Sequence, residues 1–234
     1  QSGRATAEKL NTDRANRFLA RGPRLRLDAE VLRDQALVVG GLLQRKLGGP
    51  AVRPYQPVGL WRVVAITGSN TRDFKRDSGE ALYRRSVYTF WKRTSPPPSM
   101  AAFNAPTREQ CTVRRERTNT PLQALVLMND PQFVESARHL AEISLLDRSL
   151  ADDRSRALWM LFRVLSRPAS ELDVTDVTAS IVELRTLFSK RPEVANKLIR
   201  TGDSVPDQTL EPVELAAWTM IANTLMNRDD FINK

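Results

Sequence analysis

The chain has 234 residues, of which 41% are hydrophobic, and its 36 Lys and Arg against 27 Asp and Glu give a net charge of +9. This composition is typical of a globular protein with a buried core. No apolar run approaches the ~20 residues that a membrane-spanning helix needs, so the sequence predicts no membrane span. The single cysteine, Cys111, excludes an intrachain disulfide and a cysteine-based zinc site.

The positive charge is concentrated in the first half of the chain. Residues 1–120 carry 23 basic and 10 acidic residues, a net charge of +13, whereas residues 121–234 carry 13 and 17, a net charge of −4. The basic half could face an anionic partner. The alternatives are a basic face in contact with solvent, or one that docks on an acidic neighbouring domain.

Two helices are predicted at the start of the chain, over residues 6–20 and 28–47. In the second, apolar residues recur at spacings of three and four from Leu32 to Leu47, Asp28 is a suitable N-cap, and glycines and a proline end the pattern at residues 48–50. Gly40 and Gly41 weaken this helix, which indicates either the close approach of another backbone or a local kink.

Residues 50–118 form a different kind of segment, rich in proline and without a lasting helical period. Its eight aromatic side chains argue against disorder. Residues 86–91 are β-branched and aromatic and are predicted to form one strand. We expect this segment to be an ordered, loop-rich layer, called the irregular layer below, that packs on helices.

From residue 119 the pattern becomes regularly helical. Proline follows a potential capping residue at the predicted starts near Pro121 and Pro131, and further helices are predicted from Asp153, from Ser170 as a cap, and from prolines 192 and 212. Short loops between amphipathic helices predict an antiparallel bundle over residues 119–234. The fold class is therefore mainly α, with the irregular layer and at most a short strand pair. Residues 1–118 and 119–234 are expected to form one continuous domain.

Basic and aromatic residues of the irregular layer are the first candidate ligand-binding group: Arg84, Arg85, Trp91 and Arg93. Arginine forks match the oxygens of sulfate, phosphate and carboxylate, and aromatic faces can stack on sugars. Alternatively, Trp91 belongs to the core and the arginines pair with groups inside the domain.

A second candidate group precedes the helix predicted at Pro121, where free backbone N–H groups favour anions. Its members are Arg115, Arg117 and Thr120. The alternative is a structural role, in which the arginines satisfy carbonyl groups of the irregular layer and Asn119 caps the helix.

Evidence for catalysis is weak in the sequence. Four acids of the irregular layer are candidates for paired-carboxylate chemistry: Asp73, Asp77, Glu80 and Glu109. His139 is the only histidine and is interpreted as a surface or internally satisfied helical residue. Cys111 lacks an obvious histidine partner, so no catalytic residue is assigned. No metal site and no cofactor is predicted for this chain.

Several long motifs carry a family resemblance. They are RRSVYTFWKRT at residues 84–94 followed by PPPSM, RRERTNTPLQAL at residues 114–125, NDPQFV at residues 129–134, RGPRLRLDAE at residues 21–30, and the C-terminal stretch 218–234. Together they extend over nearly the whole chain. The chain resembles the later part of the planctomycete secreted domain of unknown function. That resemblance implies a secreted or extracytoplasmic location and upstream domains that include a cytochrome-c-like module. It implies that the domain's earlier helical part precedes Gln1, and it supplies no catalytic residues.

The predicted function is that of an accessory or interaction domain, which binds an anionic polysaccharide or docks partner domains of the same protein. Nucleic acid is not an expected partner. The alternative is a polysaccharide-acting hydrolase, or an oxidoreductase module whose haem lies upstream. An enzyme should gather Asp77, Glu80 or Glu109 with Arg84 or Arg115 in a deep pocket, whereas an interaction domain should show a shallow basic surface.

Overall fold

The structure, a computed structural model, describes residues 6–22 and 25–233. Within these ranges the ordered elements are α-helices and short 3-10 turns, and pairing between extended segments is limited to isolated bridges. The prediction of a mainly α protein is confirmed. None of the helices in these ranges combines the length and the apolar character that crossing a bilayer requires.

Both helices predicted at the start of the chain are shorter than expected. Helix α1 spans Ala7–Thr12 and helix α2 spans Ala29–Val39. The first ends early because the carboxylate of Asp13 accepts hydrogen bonds from the backbone N–H groups of Arg17 and Phe18, which folds the chain into a turn. The second ends at Gly40, ahead of a left-handed residue at position 41.

Gly40 allows α2 to approach another helix closely. A Cβ atom built on this residue would lie 2.5 Å from the carbonyl oxygen of Ser136. The explanation of the glycine pair by a close backbone contact is therefore confirmed, and the neighbour is the backbone of the helix that contains Ser136.

The helices of the second half follow the predicted order. Short helices α3 and α4, within the irregular layer, span Leu60–Val63 and Pro98–Ala102. The later helices are α5 Pro121–Asn129, α6 Pro131–Leu146, α7 Asp153–Leu165, α8 Glu171–Ser189, α9 Pro192–Ile199, α10 Pro212–Met226 and α11 Asp229–Ile232. The carboxylate of Asp130 caps α6, and Ser170 forms a reciprocal capping box with Asp173 at the start of α8.

Helices α6 and α10 lie at the centre of the bundle. Helix α10 packs against α6, α8 and α9, while α6 also packs against α2. Trp218 and Leu215 on α10 are fully buried, as are Leu140 on α6 and Leu32 on α2. Because these residues belong to one hydrophobic cluster, the first half of the chain contributes directly to the core of the helical bundle.

The prediction of a strand over residues 86–91 is wrong. Ser86–Tyr88 forms a 3-10 turn, and Val52 pairs with Thr89 in an isolated bridge. Side chains of α2 bind polar groups of this segment: the carboxylate of Asp34 accepts the backbone N–H of Ser86 at 2.7 Å, and Arg33 donates to the Ser86 hydroxyl at 3.1 Å. The irregular layer is thus attached to a helix and not to a sheet.

Arg33 is the main internal support of the irregular layer. Its buried guanidinium donates to the carbonyl oxygens of Arg84 and Leu82, at 2.8 and 2.5 Å, and to the side chain of Gln132. Burial lowers the pKa of Arg33 to about 10, although the nearby Asp34 opposes this change. The side chain therefore stays charged at neutral pH and joins the irregular layer to α6.

Candidate functional site

Two of the predicted binding arginines lie along the same helix. Arg115 donates to both carboxylate oxygens of Glu30, at 2.6 and 3.2 Å, and Arg85 contacts the carboxylate of Asp34 at 3.4 Å. Glu30 and Asp34 are one helical turn apart on α2, so the two arginines lie on one side of that helix. Burial acts to raise the pKa of Glu30, but the hydrogen bonds from Arg115 hold it below its usual value.

Trp91 belongs to the same region. The guanidinium of Arg108 lies 4.5 Å from the centre of its ring, and its indole N–H donates to the carbonyl oxygen of Thr107 at 3.0 Å. The charge of Arg108 also lowers the pKa of Glu30, the partner of Arg115. Arg108, which the sequence analysis did not select, therefore contacts Trp91 and acts electrostatically on the partner of Arg115.

Several arginines of this region have no acidic partner. Four are exposed and form no ion pair with any residue in the described ranges: Arg93, Arg108, Arg114 and Arg117. Residues 114–118 line a cavity of about 440 Å³ on the surface. We call Arg93, Arg108, Arg114, Arg115 and Arg117, together with Trp91, the arginine cluster. It contains four of the predicted residues, Trp91, Arg93, Arg115 and Arg117, which the sequence had divided between two groups.

Thr120 and Arg84 have other environments. Thr120 is exposed at the N-cap position of α5, where its side chain makes no capping hydrogen bond to the described residues. Arg84 is 6% exposed, and its guanidinium donates to the carbonyl oxygens of Pro50 and Lys46 at 2.9 and 3.3 Å, and to that of Gly48. It also lies 3.9 Å from the centre of the Tyr88 ring. Arg84 thus stabilises the turn after α2 and is separate from the arginine cluster.

The acids of the irregular layer are not gathered around an arginine of the cluster. Asp73 is paired with Arg62 at 2.5 Å, and the carboxylate of Asp77 accepts the backbone N–H of Arg53 at 2.7 Å. Glu80 and Glu109 are exposed. The cavity lined by residues 114–118 contains none of these four acids. Glu116 is the one acid that lines this cavity, so the carboxylate pair that a hydrolase would need is not brought together there.

A second polar group lies inside the molecule, around Glu135 of α6, which is 1% exposed. Its carboxylate accepts hydrogen bonds from the hydroxyls of Tyr55 and Tyr83, each at 2.8 Å, and from the Ser204 hydroxyl at 2.6 Å. It also accepts the backbone N–H groups of Asp203 and Ser204. Burial and these bonds to Glu135 raise the pKa of Tyr83 to about 12. Glu135 therefore holds the irregular layer and the loop before α10 against α6.

His139 is next to this group. Its Nε2 atom lies 3.0 Å from the hydroxyl oxygen of Ser204, and its Nδ1 atom lies 3.7 Å from the carboxylate of Glu142. Burial, together with the charge of Arg138, lowers the pKa of His139, so the ring is neutral at pH 7. The Ser204 hydroxyl already donates to Glu135 and accepts from Arg138 at 2.5 Å. Because its proton is donated to Glu135 and its oxygen accepts from Arg138, the Ser204 hydroxyl has a structural role and is not activated as a nucleophile.

A family model, described as PSD1, Protein of unknown function (DUF1553), matches residues 1–181. The chain belongs to the PSD1 family. No curated protein and no solved structure matches it. The matched residues include the whole arginine cluster and all of α6, whereas Asp203 and Ser204, which bond to Glu135, lie beyond them.

The description of the PSD1 family names no activity, so a function for this member must be argued from its own geometry. In residues 6–22 and 25–233, no three His, Cys, Asp or Glu side chains are grouped so that they could hold a metal ion. The absence of a cofactor remains a prediction. What the arrangement offers chemically is a set of exposed guanidinium donors beside an aromatic ring, which suits the binding of sulfate or carboxylate groups.

Proposed function

We propose that this PSD1 chain is an interaction domain that binds an anionic polysaccharide through the arginine cluster. The observation that carries the proposal is the group of exposed arginines, Arg93, Arg108, Arg114 and Arg117, that have no acidic partner in the described ranges. Sulfate and uronate groups present the planar or tetrahedral oxygens that guanidinium forks bind. Several unpaired guanidinium groups, one of them over the Trp91 ring, suit a polymer with repeated charges better than one small anion.

The biological setting of the proposal comes from the sequence motifs. The resemblance to the planctomycete secreted domain supports an extracytoplasmic setting, in a protein that also contains a cytochrome-c-like module. Outside the cell, acidic polysaccharides are available ligands, whereas nucleic acids are not the expected target. The ligand class is thus chosen by the charge of the surface together with the location that the resemblance implies.

Binding at this surface should depend strongly on salt. We expect the chain to be retained on a heparin column at low salt and to be released as salt rises, because screening limits exposed charges to a reach of ~8 Å at physiological ionic strength. Combined Arg114→Ala and Arg117→Ala replacement should weaken the affinity roughly two- to tenfold, since each exposed ion pair contributes little. The measurement is the salt concentration at elution.

The matched control removes two positive charges elsewhere. Arg148 and Arg200 are exposed in the helical half and form no ion pair with the described residues, so their replacement by alanine should leave elution close to that of the unaltered chain. The proposal fails if the chain is not retained at low salt or if retention ignores salt. It also fails if the control pair lowers the elution salt as much as the Arg114 and Arg117 pair.

Docking of upstream domains of the same protein is the second candidate function. It is favoured by apolar surface: α1 contains no buried residue, and Phe18 and Leu19 after it are 82% and 63% exposed. Leu122 and Leu125 on α5 are also more than half exposed. Contiguous apolar surface is typical of protein contacts.

If docking is correct, separately produced upstream domains should form a complex with this chain in analytical ultracentrifugation. Replacing Phe18 and Leu19 with serine should weaken that complex, because it removes apolar surface from the contact. The same replacement at Val182 and Leu187, exposed on α8, is the control. Failure to form a complex, or equal weakening by both pairs, would remove this candidate.

A further inference from the structure

A groove with a volume of about 600 Å³ runs between α8 and α10, and no member of the arginine cluster lines it. Both helices contribute to its apolar lining, which consists of Val177, Leu184, Leu187, Ile221 and Leu225. Leu184 is half-buried and Leu187 is 46% exposed. The groove therefore presents apolar surface to solvent without any movement of the chain.

The groove is long and narrow. Arg228, just after the end of α10, binds the carboxylate of Asp173 near the start of α8 at 2.8 Å, so the two helices run antiparallel along it. Its lining on α8 extends from Asp173 to Leu187, a distance of about 21 Å at the helical rise of ~1.5 Å per residue. A narrow volume spread over this length accommodates a row of side chains. This shape suits one face of a helix laid along the groove, which inserts residues three and four positions apart.

The rim of the groove has an uncompensated negative charge. Asp176 and Glu183 line it, are exposed, and form no ion pair within the described ranges. The other charged residues of the lining, Asp173 and Arg228, neutralise each other. Asp176 and Glu183 are separated by two turns of α8, so they lie on the same face about 10 Å apart along the axis. A helix with basic residues at the same separation can pair with both.

We propose that this groove binds an amphipathic helix of a partner protein, with an apolar stripe flanked by lysine or arginine. The apolar stripe packs on Leu184 and Leu187, and basic residues seven positions apart pair with Asp176 and Glu183. The charge required of this partner is opposite to that of the polysaccharide. The groove and the arginine cluster are therefore two separate sites with different ligands.

A synthetic helix of the required chemistry is the probe for this site. It is a fluorescein-labelled peptide of about 14 residues, ~21 Å long as a helix, with leucines on one face and lysines seven positions apart on the other. We expect saturable binding to the full 234-residue chain, measured by fluorescence anisotropy at physiological salt. Peptides with glutamate in place of lysine, or alanine in place of leucine, each lack one half of the chemistry and should bind at least tenfold more weakly.

The acidic rim is tested by removing its charges. Combined Asp176→Asn and Glu183→Gln replacement should weaken binding of the lysine peptide roughly three- to tenfold, since each exposed ion pair contributes little. The matched control is Glu80→Gln with Glu193→Gln. Both of these acids are exposed and form no ion pair with the described residues, so the control should bind the peptide as the unaltered chain does.

The groove itself is tested by filling it. Ser180 is an exposed lining residue of α8, so Ser180→Trp places a large ring in the groove and should weaken peptide binding more than tenfold. Ala179→Trp is the matched control, because Ala179 is the exposed neighbour of Ser180 on α8 and does not line the groove. Circular dichroism checks that both variants fold. Ser180→Trp should leave the salt concentration of elution from heparin unchanged, which separates this site from the polysaccharide site.

The proposal is overturned if the lysine peptide does not bind saturably, or if either control peptide binds equally well. It is also overturned if Ser180→Trp or the Asp176 and Glu183 pair binds the peptide as tightly as the unaltered chain. Octylamine that binds as tightly as the peptide would assign the groove to a small molecule instead. A dimer of the chain alone that Ser180→Trp dissociates in analytical ultracentrifugation would assign it to a second copy, and either result would refute a partner helix.

Discussion

Replacing Glu135 with alanine should lower the free energy of unfolding by about 3–5 kcal/mol, as is usual when one member of a buried charged network is removed. The change leaves the hydroxyls of Tyr55 and Tyr83 and the backbone N–H groups of Asp203 and Ser204 without their acceptor. The loss is measured by urea denaturation followed by circular dichroism, assuming two-state unfolding.

Glu183→Ala is the matched control for this prediction. Glu183 is exposed on α8 and forms no ion pair with the described residues, so its removal should change the free energy of unfolding by less than about 0.5 kcal/mol. Glu135→Gln should fall between the two, because it keeps the acceptor oxygen but turns an amide donor toward other donors. A loss below about 1 kcal/mol for Glu135→Ala would show that the network does not hold the irregular layer.

The second large effect is expected at Gly40. Gly40→Ala should cost about 2–3 kcal/mol, because the new Cβ atom would lie 2.5 Å from the carbonyl oxygen of Ser136, and two packed backbones would have to move apart. The backbone of Gly40 has an ordinary helical conformation, with φ of −72°. Backbone conformation alone would therefore predict that alanine slightly raises the free energy of unfolding.

Gly68→Ala is the matched comparison, because at Gly68 the backbone conformation disfavours alanine but there is space for its side chain. Gly68 has φ of +88°, which disfavours alanine, but nothing lies within 4 Å of the position that a Cβ would occupy. We expect a loss of about 1–2 kcal/mol there. Thermal or urea unfolding of both variants should place Gly40→Ala as the less stable protein. The reverse order would mean that α2 and α6 can separate at little cost.

The helix starts of the second half were predictable because they depend on local chemistry. A proline at the first helical position and a capping carboxylate or hydroxyl act within four residues, as at Asp130 and Ser170. The ends of α1 and α2 were not predictable from periodicity. Asp13 ends α1 by bonding the N–H groups that follow it, and apolar residues beyond Gly40 continue the spacing of α2 without continuing the helix.

The candidate site was predictable in part, for a related physical reason. Arginine-rich motifs identified Arg115 and Arg117, but not that Glu30, 85 residues away, would bind Arg115 and leave Arg117 free. The partner of an arginine is set by tertiary structure. Arg84 is a second example. It stands beside Arg85 in the same motif, but its guanidinium bonds to the turn after α2 and is not available to a ligand.

The Glu135 group has a recognisable spacing of charged residues in the sequence. Glu135, Arg138 and Glu142 lie three and four residues apart, so they form one stripe along α6. Such a stripe is usually the solvent face of an amphipathic helix. Here the stripe is buried. Tyr55, Tyr83 and Ser204, which are distant in sequence, cover it and donate hydrogen bonds to Glu135. Pairing at this distance is not visible in a helical pattern.

The central position of α10 limits where the chain can be truncated. The family match ends at residue 181, whose side chain is fully buried in the middle of α8. A piece cut there would lose α10, which packs against both α6 and α8, and with it the fully buried Trp218. The stretch that the family model matches is therefore shorter than the stretch that contributes to the hydrophobic core, and a protein expressed for experiments should include the whole core.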